Sequence, residues 1–149
     1  MVQLPQDYSV AASALNTGLV VTQCGAKSNL IVEPPPAFGG SGNAWSPEEL
    51  LLAALADCYI LTFRDVAARK GFVWRQIACR AEGVLDRVGS GVGFAAFNMD
   101  CVLQIDESVS KVDAESLLRK TAKSCFVSRA LAVEPSLSTS VEILSGDAV

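Results

Sequence analysis

Five cysteines carry the chemistry this chain has the means to perform: Cys24, Cys58, Cys79, Cys101 and Cys125. The reactive form of a cysteine is the thiolate, a nucleophile toward electrophilic oxygen, sulfur or carbon. Histidine is absent from all 149 residues. Ser-His-Asp and Cys-His catalysis are therefore removed, along with most zinc sites. Any thiol chemistry must be activated by Arg or Lys, or by a helix N-terminus. No two cysteines are close enough for a CxxC motif, so neither a metal nor a cofactor is expected. An odd number of cysteines without a signal peptide argues against a disulfide framework.

Cys58 lies in the middle of a stretch that reads as one long helix over residues 46–71. Ser46 is a good N-cap, Pro47 fits the first helical position, and Glu49 completes a capping box. Gly71 after Arg69 and Lys70 is a usual stop. The span predicts a helix about 35 Å long. Its apolar residues, among them Leu50, Leu51, Leu52, Leu55, Tyr59, Ile60, Leu61 and Phe63, cover every side. A helix apolar all round is normally buried all round, so the rest of the chain or a partner subunit is expected to wrap it.

The other elements follow from turn residues and periodicity. Residues 8–33 read as a meander of short strands, with Cys24 a small, partly buried residue. Residues 34–45, PPPAFGGSGNAW, read as a loop delivering the chain to the helix. Phe38 and Trp45 are its apolar anchors and candidates for a substrate-pocket wall, as is Tyr59 beside Cys58. Residues 72–87 predict a long strand, 89–93 (GSGVG) a turn, and 94–105 a return strand. Folding these about residue 90 sets Cys79 opposite Cys101, and both read as core thiols. Ser110 or Asp113 caps a second helix, with Ala114, Leu117, Leu118, Thr121, Ala122 and Cys125 on its apolar face. Arg119, Lys120 and Lys123 fall on its other faces, and Cys125 comes off its C-terminal end. FVSRALAVEP reads as a turn and 136–144 as a last strand. The order predicts an α+β fold with a mainly antiparallel sheet, in one domain spanning 1–149.

Half the residues are hydrophobic, which fills a sizeable core. The net charge is −4 and the twelve Lys and Arg residues are scattered. Nucleic acid and anionic membrane both need a basic face, so neither is expected as a partner. The longest apolar run, residues 50–56, is far short of the ~18 that a membrane span needs. The segment MVQLPQDYSV has neither a basic nor an apolar targeting region, and a cytoplasmic location is expected.

SPEELLLAALADCYILTF, with SCFVSRAL placing a second cysteine 67 residues after the first, resembles the OsmC/Ohr family of organic hydroperoxide-reducing proteins. The resemblance covers most of the chain and includes the Gly-rich lead-in GGSGNAWSPEEL. It implies an intertwined α+β homodimer whose sheets enclose a long central helix. It implies that Cys58 attacks the terminal oxygen of an alkyl or lipid hydroperoxide and that Cys125 resolves the resulting sulfenic acid to a disulfide. A lipoyl-type dithiol is the implied reductant, and Glu48 the glutamate that orients a catalytic arginine. The family's arginine comes from the N-terminal region, whereas this chain has none before Arg64; Arg129, four residues after Cys125, is the candidate substitute. Glu48 and Cys58 are ten residues apart, about 15 Å along a straight helix. If both act at one site, Glu48 must come from a partner chain or the helix must break. The reading is thus a thiol-dependent organic hydroperoxide reductase. The alternative is an OsmC-like module without peroxidase activity that binds an apolar ligand or partner at the dimer cleft. A third is a detoxifier of electrophiles that needs one reactive cysteine.

Overall fold

Turn residues cut the first 33 positions into three short strands, β1 (Ala11–Ser13), β2 (Val20–Gln23) and β3 (Leu30–Val32). They pair antiparallel in the order β1-β2-β3, the meander expected from sequence. The computed structural model describes residues 4–145. The chain divides into two compact units, Met1–Leu51 and Leu52–Val149.

In the first unit the segment after β3 is gathered by Glu33. Its side chain is nearly buried, at 7% exposure. Its carboxylate accepts from the backbone N–H groups of Asn43 (2.8 Å), Ala44 (3.0 Å) and Ser41 (3.1 Å), and from the Ser41 hydroxyl (2.9 Å). The Ala44 and Ser41 N–H groups outweigh the opposing effect of burial and hold its carboxyl down at about 2, against an ordinary 4.5. Pro36–Phe38 form a single 3-10 turn inside this segment. Gly40 is required by space, because a Cβ there would stand 1.6 Å from the Pro34 carbonyl oxygen. The Glu33 N–H donates to the Trp45 carbonyl at 2.9 Å, so the chain is held one residue before Ser46.

Helix α1 (Pro47–Lys70) has the expected ends. The Ser46 N–H donates to the Glu49 carboxylate at 2.8 Å, and the Glu49 N–H donates to the Ser46 hydroxyl at 3.2 Å. At the far end the Phe72 N–H reaches the Ala67 carbonyl (3.0 Å) and the Gly71 N–H reaches Ala68 (3.1 Å). Gly71 takes the left-handed φ of 61° that this arrangement needs.

The second unit packs α1 and α2 (Lys111–Ala122) on one three-stranded sheet. Strands β4 (Gln76–Val88) and β5 (Gly91–Asp106) form an antiparallel hairpin, and β6 (Ser136–Leu144) lies on the far side of β5. The turn is tighter than GSGVG suggests: only Gly89 and Ser90 stand outside the ladder. The register sets Cys79 opposite Cys101, as folding about residue 90 requires. A bulge between Val84 and Leu85 lies further along the ladder and does not disturb this pairing.

β6 runs parallel to β5, while the other three strand pairings are antiparallel, the mainly antiparallel arrangement expected. The chain crosses back through α2 and a short helix, α3 (Phe126–Ala130), and such a crossover returns a strand in the same direction. That helix occupies the first half of the segment read as a turn. Within the chain α1 buries a single stripe, Leu55, Tyr59, Phe63 and Ala67, at a spacing of four. Leu61 is 58% exposed and Leu52, Ala53, Ala56 and Ile60 are half-buried. One sheet offers one face, so it can cover only one side of a helix.

Opposite that stripe, alternate residues of β5 (Phe97, Met99, Cys101, Leu103 and Ile105) are buried. α2 adds Ala114, Leu117, Leu118 and Thr121. The Tyr59 hydroxyl donates to the Leu118 carbonyl at 2.9 Å and ties the two helices together. Among the described residues no helix is long and apolar enough to cross a membrane.

Candidate functional site

Cys58 projects from the middle of α1, next to the buried Tyr59, and is half-buried. Cys125 reaches it from the other end of the second unit. α2 ends at Ala122, a turn closed by the Ser124 N–H on the Thr121 carbonyl (2.9 Å) follows, and Cys125 then takes extended backbone (φ −70°, ψ 119°). It is therefore the residue that opens α3, not the tail of the α2 apolar face as expected. The reversal buries its thiol to 1% exposure and turns it toward α1. The Cys125 thiol donates to Cys58 Sγ at 2.9 Å.

The electrostatics of the pair are unequal. Burial opposes a thiolate at Cys58. It is outweighed by hydrogen bonds from the Cys125 thiol, the Val127 N–H, the Thr62 hydroxyl and the Phe126 N–H, and the Cys58 thiol is held below its ordinary value. Cys125 moves the other way: burial raises it, and donating its proton to Cys58 raises it further. The arrangement is one poised nucleophile with a protonated thiol beside it, which is what formation and condensation of a sulfenic acid require.

Besides the Cys125 thiol, the groups that lower Cys58 include the Val127 and Phe126 N–H groups at the start of α3, which carry no residue-type signature in the sequence. Arg129 is exposed, and only its backbone N–H is engaged with Cys125, at 3.4 Å from the carbonyl. No cation is among the groups that shift Cys58. Glu48 stands in the first turn of α1, and its Oε2 is buried without a hydrogen-bond partner among the described residues. Glu49, not Glu48, makes the capping box.

A cavity of about 590 Å³ opens onto Cys125. Tyr59, Met99, Pro135 and Leu137 give it an apolar floor, and Arg119, Lys120 and Lys123 bring three cations to its wall. Sequence reading set these cations on outer faces of α2. Only the parallel return of β6 makes that face a cavity wall. Tyr59 lines this cavity together with Cys125, and Cys58 is not in the lining. Phe38 (61% exposed) and Trp45 (51% exposed) are at the surface of the first unit. Trp45 borders a shallow hollow with Gly42, Asn43, Ala44 and Glu49, and Phe38 does not. Among the described residues no group of three His, Cys, Asp or Glu side chains could hold a metal.

Comparison with known proteins gives a consistent picture. Residues 40–140 match the family model described as OsmC-like protein. The uncharacterized protein YmaD of Bacillus subtilis is 33% identical over 123 residues, covering 77% of this chain and 81% of YmaD. An OsmC-like protein of unknown function from Vibrio cholerae superposes with a TM-score of 0.81 at 15% identity, covering 91% of this chain and 100% of the other. An organic hydroperoxide resistance protein of Legionella pneumophila superposes with a TM-score of 0.71 at 24% identity, covering 94% and 99%.

Proposed function

Because this chain belongs to the OsmC-like family, we propose that it reduces organic hydroperoxides with Cys58 as nucleophile and Cys125 as resolving thiol. The observation that carries this reading is the 2.9 Å approach of Cys125 to a Cys58 thiol held below its ordinary value by main-chain donors.

The Cys58 thiolate attacks the terminal oxygen of the hydroperoxide. The O–O bond breaks, the alkoxide takes a proton and leaves as an alcohol, and Cys58 becomes a sulfenic acid. The Cys125 sulfur then attacks the Cys58 sulfur, water leaves, and a disulfide forms. A dithiol reductant restores both thiols and departs as its own disulfide. Its attack falls on Cys125, because Cys58 has the lower pKa and is the better leaving group. Cys125 is also the member of the pair in the lining of the open cavity, the side from which a reductant would approach.

The working unit in this reading is a homodimer. The uncovered side of α1, with Leu61 exposed, is apolar surface that a second copy would bury. The unpartnered Glu48 oxygen is a buried acceptor that calls for a donor. Helix α1 is unbroken between Glu48 and Cys58, so a Glu48 acting at a thiol pair would act at that of the partner chain.

The test is intact-mass spectrometry of the reduced protein after one equivalent of cumene hydroperoxide, followed by turnover with a lipoyl dithiol. The expected product is a loss of two hydrogens that maps to a Cys58–Cys125 bridge. An unchanged mass, or hydroperoxide consumption equal to that of Cys58→Ser, overturns the reading.

A further inference from the structure

Cys79 and Cys101 are a second thiol pair that the proposed peroxidase chemistry does not use. They face each other in the antiparallel β4–β5 ladder. The Cys101 thiol donates to Cys79 Sγ at 2.6 Å. Directly opposed residues of an antiparallel pair have Cα atoms roughly 4.5–5.5 Å apart, inside the roughly 4.4–6.8 Å over which a disulfide closes without moving the backbone. Their positions differ in a useful way. Cys79 is half-buried on β4, an edge strand of its sheet, while Cys101 is buried on the central strand.

We propose that Cys79 and Cys101 form a reversible cross-strand disulfide by exchange with a small-molecule disulfide, Cys79 being the attacking thiol and Cys101 the closing one. The Cys79 thiolate attacks one sulfur of the small disulfide, the S–S bond breaks, and one thiolate leaves. Cys101 gives up its proton and attacks the Cys79 sulfur of the mixed disulfide, and the second small thiol leaves. One dithiol is oxidised and one disulfide is reduced to two thiols. The Cys101 hydrogen bond favours the Cys79 thiolate, which agrees with this order of attack.

The bridge would staple β4 to β5 beneath α1.

The experiment uses oxidised glutathione and the triple variant Cys24→Ser/Cys58→Ser/Cys125→Ser, which retains only this pair. It is independent of the peroxidase reading, since neither a hydroperoxide nor Cys58 takes part. Intact mass should fall by two hydrogens, the peptides should map to a Cys79–Cys101 bridge, and dithiothreitol should restore the mass. The same bridge should appear by peptide mapping in the wild-type chain, which keeps the test available if the triple variant does not fold. A glutathione adduct on Cys79 with Cys101 still open to alkylation overturns the proposal, as does full alkylation of both thiols.

Discussion

Cys125→Ala isolates the contribution of one thiol donor to the reactivity of Cys58. The donor sits at 2.9 Å and is almost wholly shielded from water, so solvent does not take its place when it is removed. A hydrogen bond to a charged group contributes about 1.5–3 kcal/mol. Cys58 is half-buried and partly hydrated, which puts this bond at the lower end, about 1.5 kcal/mol. One pKa unit corresponds to about 1.4 kcal/mol, so the Cys58 midpoint should rise by about one unit. At a pH below both midpoints the thiolate fraction should fall about tenfold. The assay is the rate of alkylation at Cys58 against pH, followed by peptide mass so that the other thiols do not interfere. Cys125→Ser keeps a donor in place and should retain most of the lowering, although it too cannot form the disulfide. An Ala variant whose midpoint stays put or falls, or a Ser variant that matches Ala, would refute the assignment of Cys125 as the donor.

Three further outcomes are expected. Phe126→Pro removes one main-chain N–H from Cys58 without breaking α3, because the first helical position tolerates proline and Cys125 already has the extended backbone that precedes it; circular dichroism should be unchanged and the Cys58 alkylation midpoint should rise by less than about one unit. Tyr59→Phe leaves the Leu118 carbonyl without its 2.9 Å donor in the core, and urea unfolding should show a loss of about 1–3 kcal/mol with an unchanged slope. Glu33 is held at about 2 against an ordinary 4.5, so its contribution to stability is complete above the ordinary value and is lost as pH falls through the lowered one. Thermal midpoints measured from pH 7 to pH 2 should therefore place Glu33→Gln below the wild type at pH 7, with the gap closing between about 4.5 and 2.

Much of the fold was legible because its signals are local. The Ser46–Glu49 capping box, the Gly71 stop and the Ser110 cap each depend on residues within one helical turn of one another. The Cys79–Cys101 pairing was also within reach, since a tight hairpin turns register into simple counting. The α2 stripe Ala114, Leu117, Leu118 and Thr121 follows from helical spacing alone. The direction of β6 was not legible, because a final strand has the same alternation whether it returns parallel or antiparallel. Nor was the half-covered state of α1, since its composition reports what must be buried and not by which chain.

By itself, then, the sequence determined the long helix and its ends, the β4–β5 hairpin, α2 and the type of chemistry: cysteine nucleophiles without histidine, on a helix too apolar to stand alone. Tertiary structure decided what makes one of those cysteines special. Cys58 and Cys125 are 67 residues apart in the chain, and their 2.9 Å approach depends on the turn after Ala122 and on the packing of α1 and α2 over one sheet. The groups that favour the Cys58 thiolate include main-chain N–H groups, which every non-proline residue carries, so only their placement distinguishes them. The cations at the Cys125 cavity likewise gain their role from the strand that returns opposite them. Local interactions are written in neighbouring residues; a site assembled across the chain exists only once non-local packing has brought its parts together.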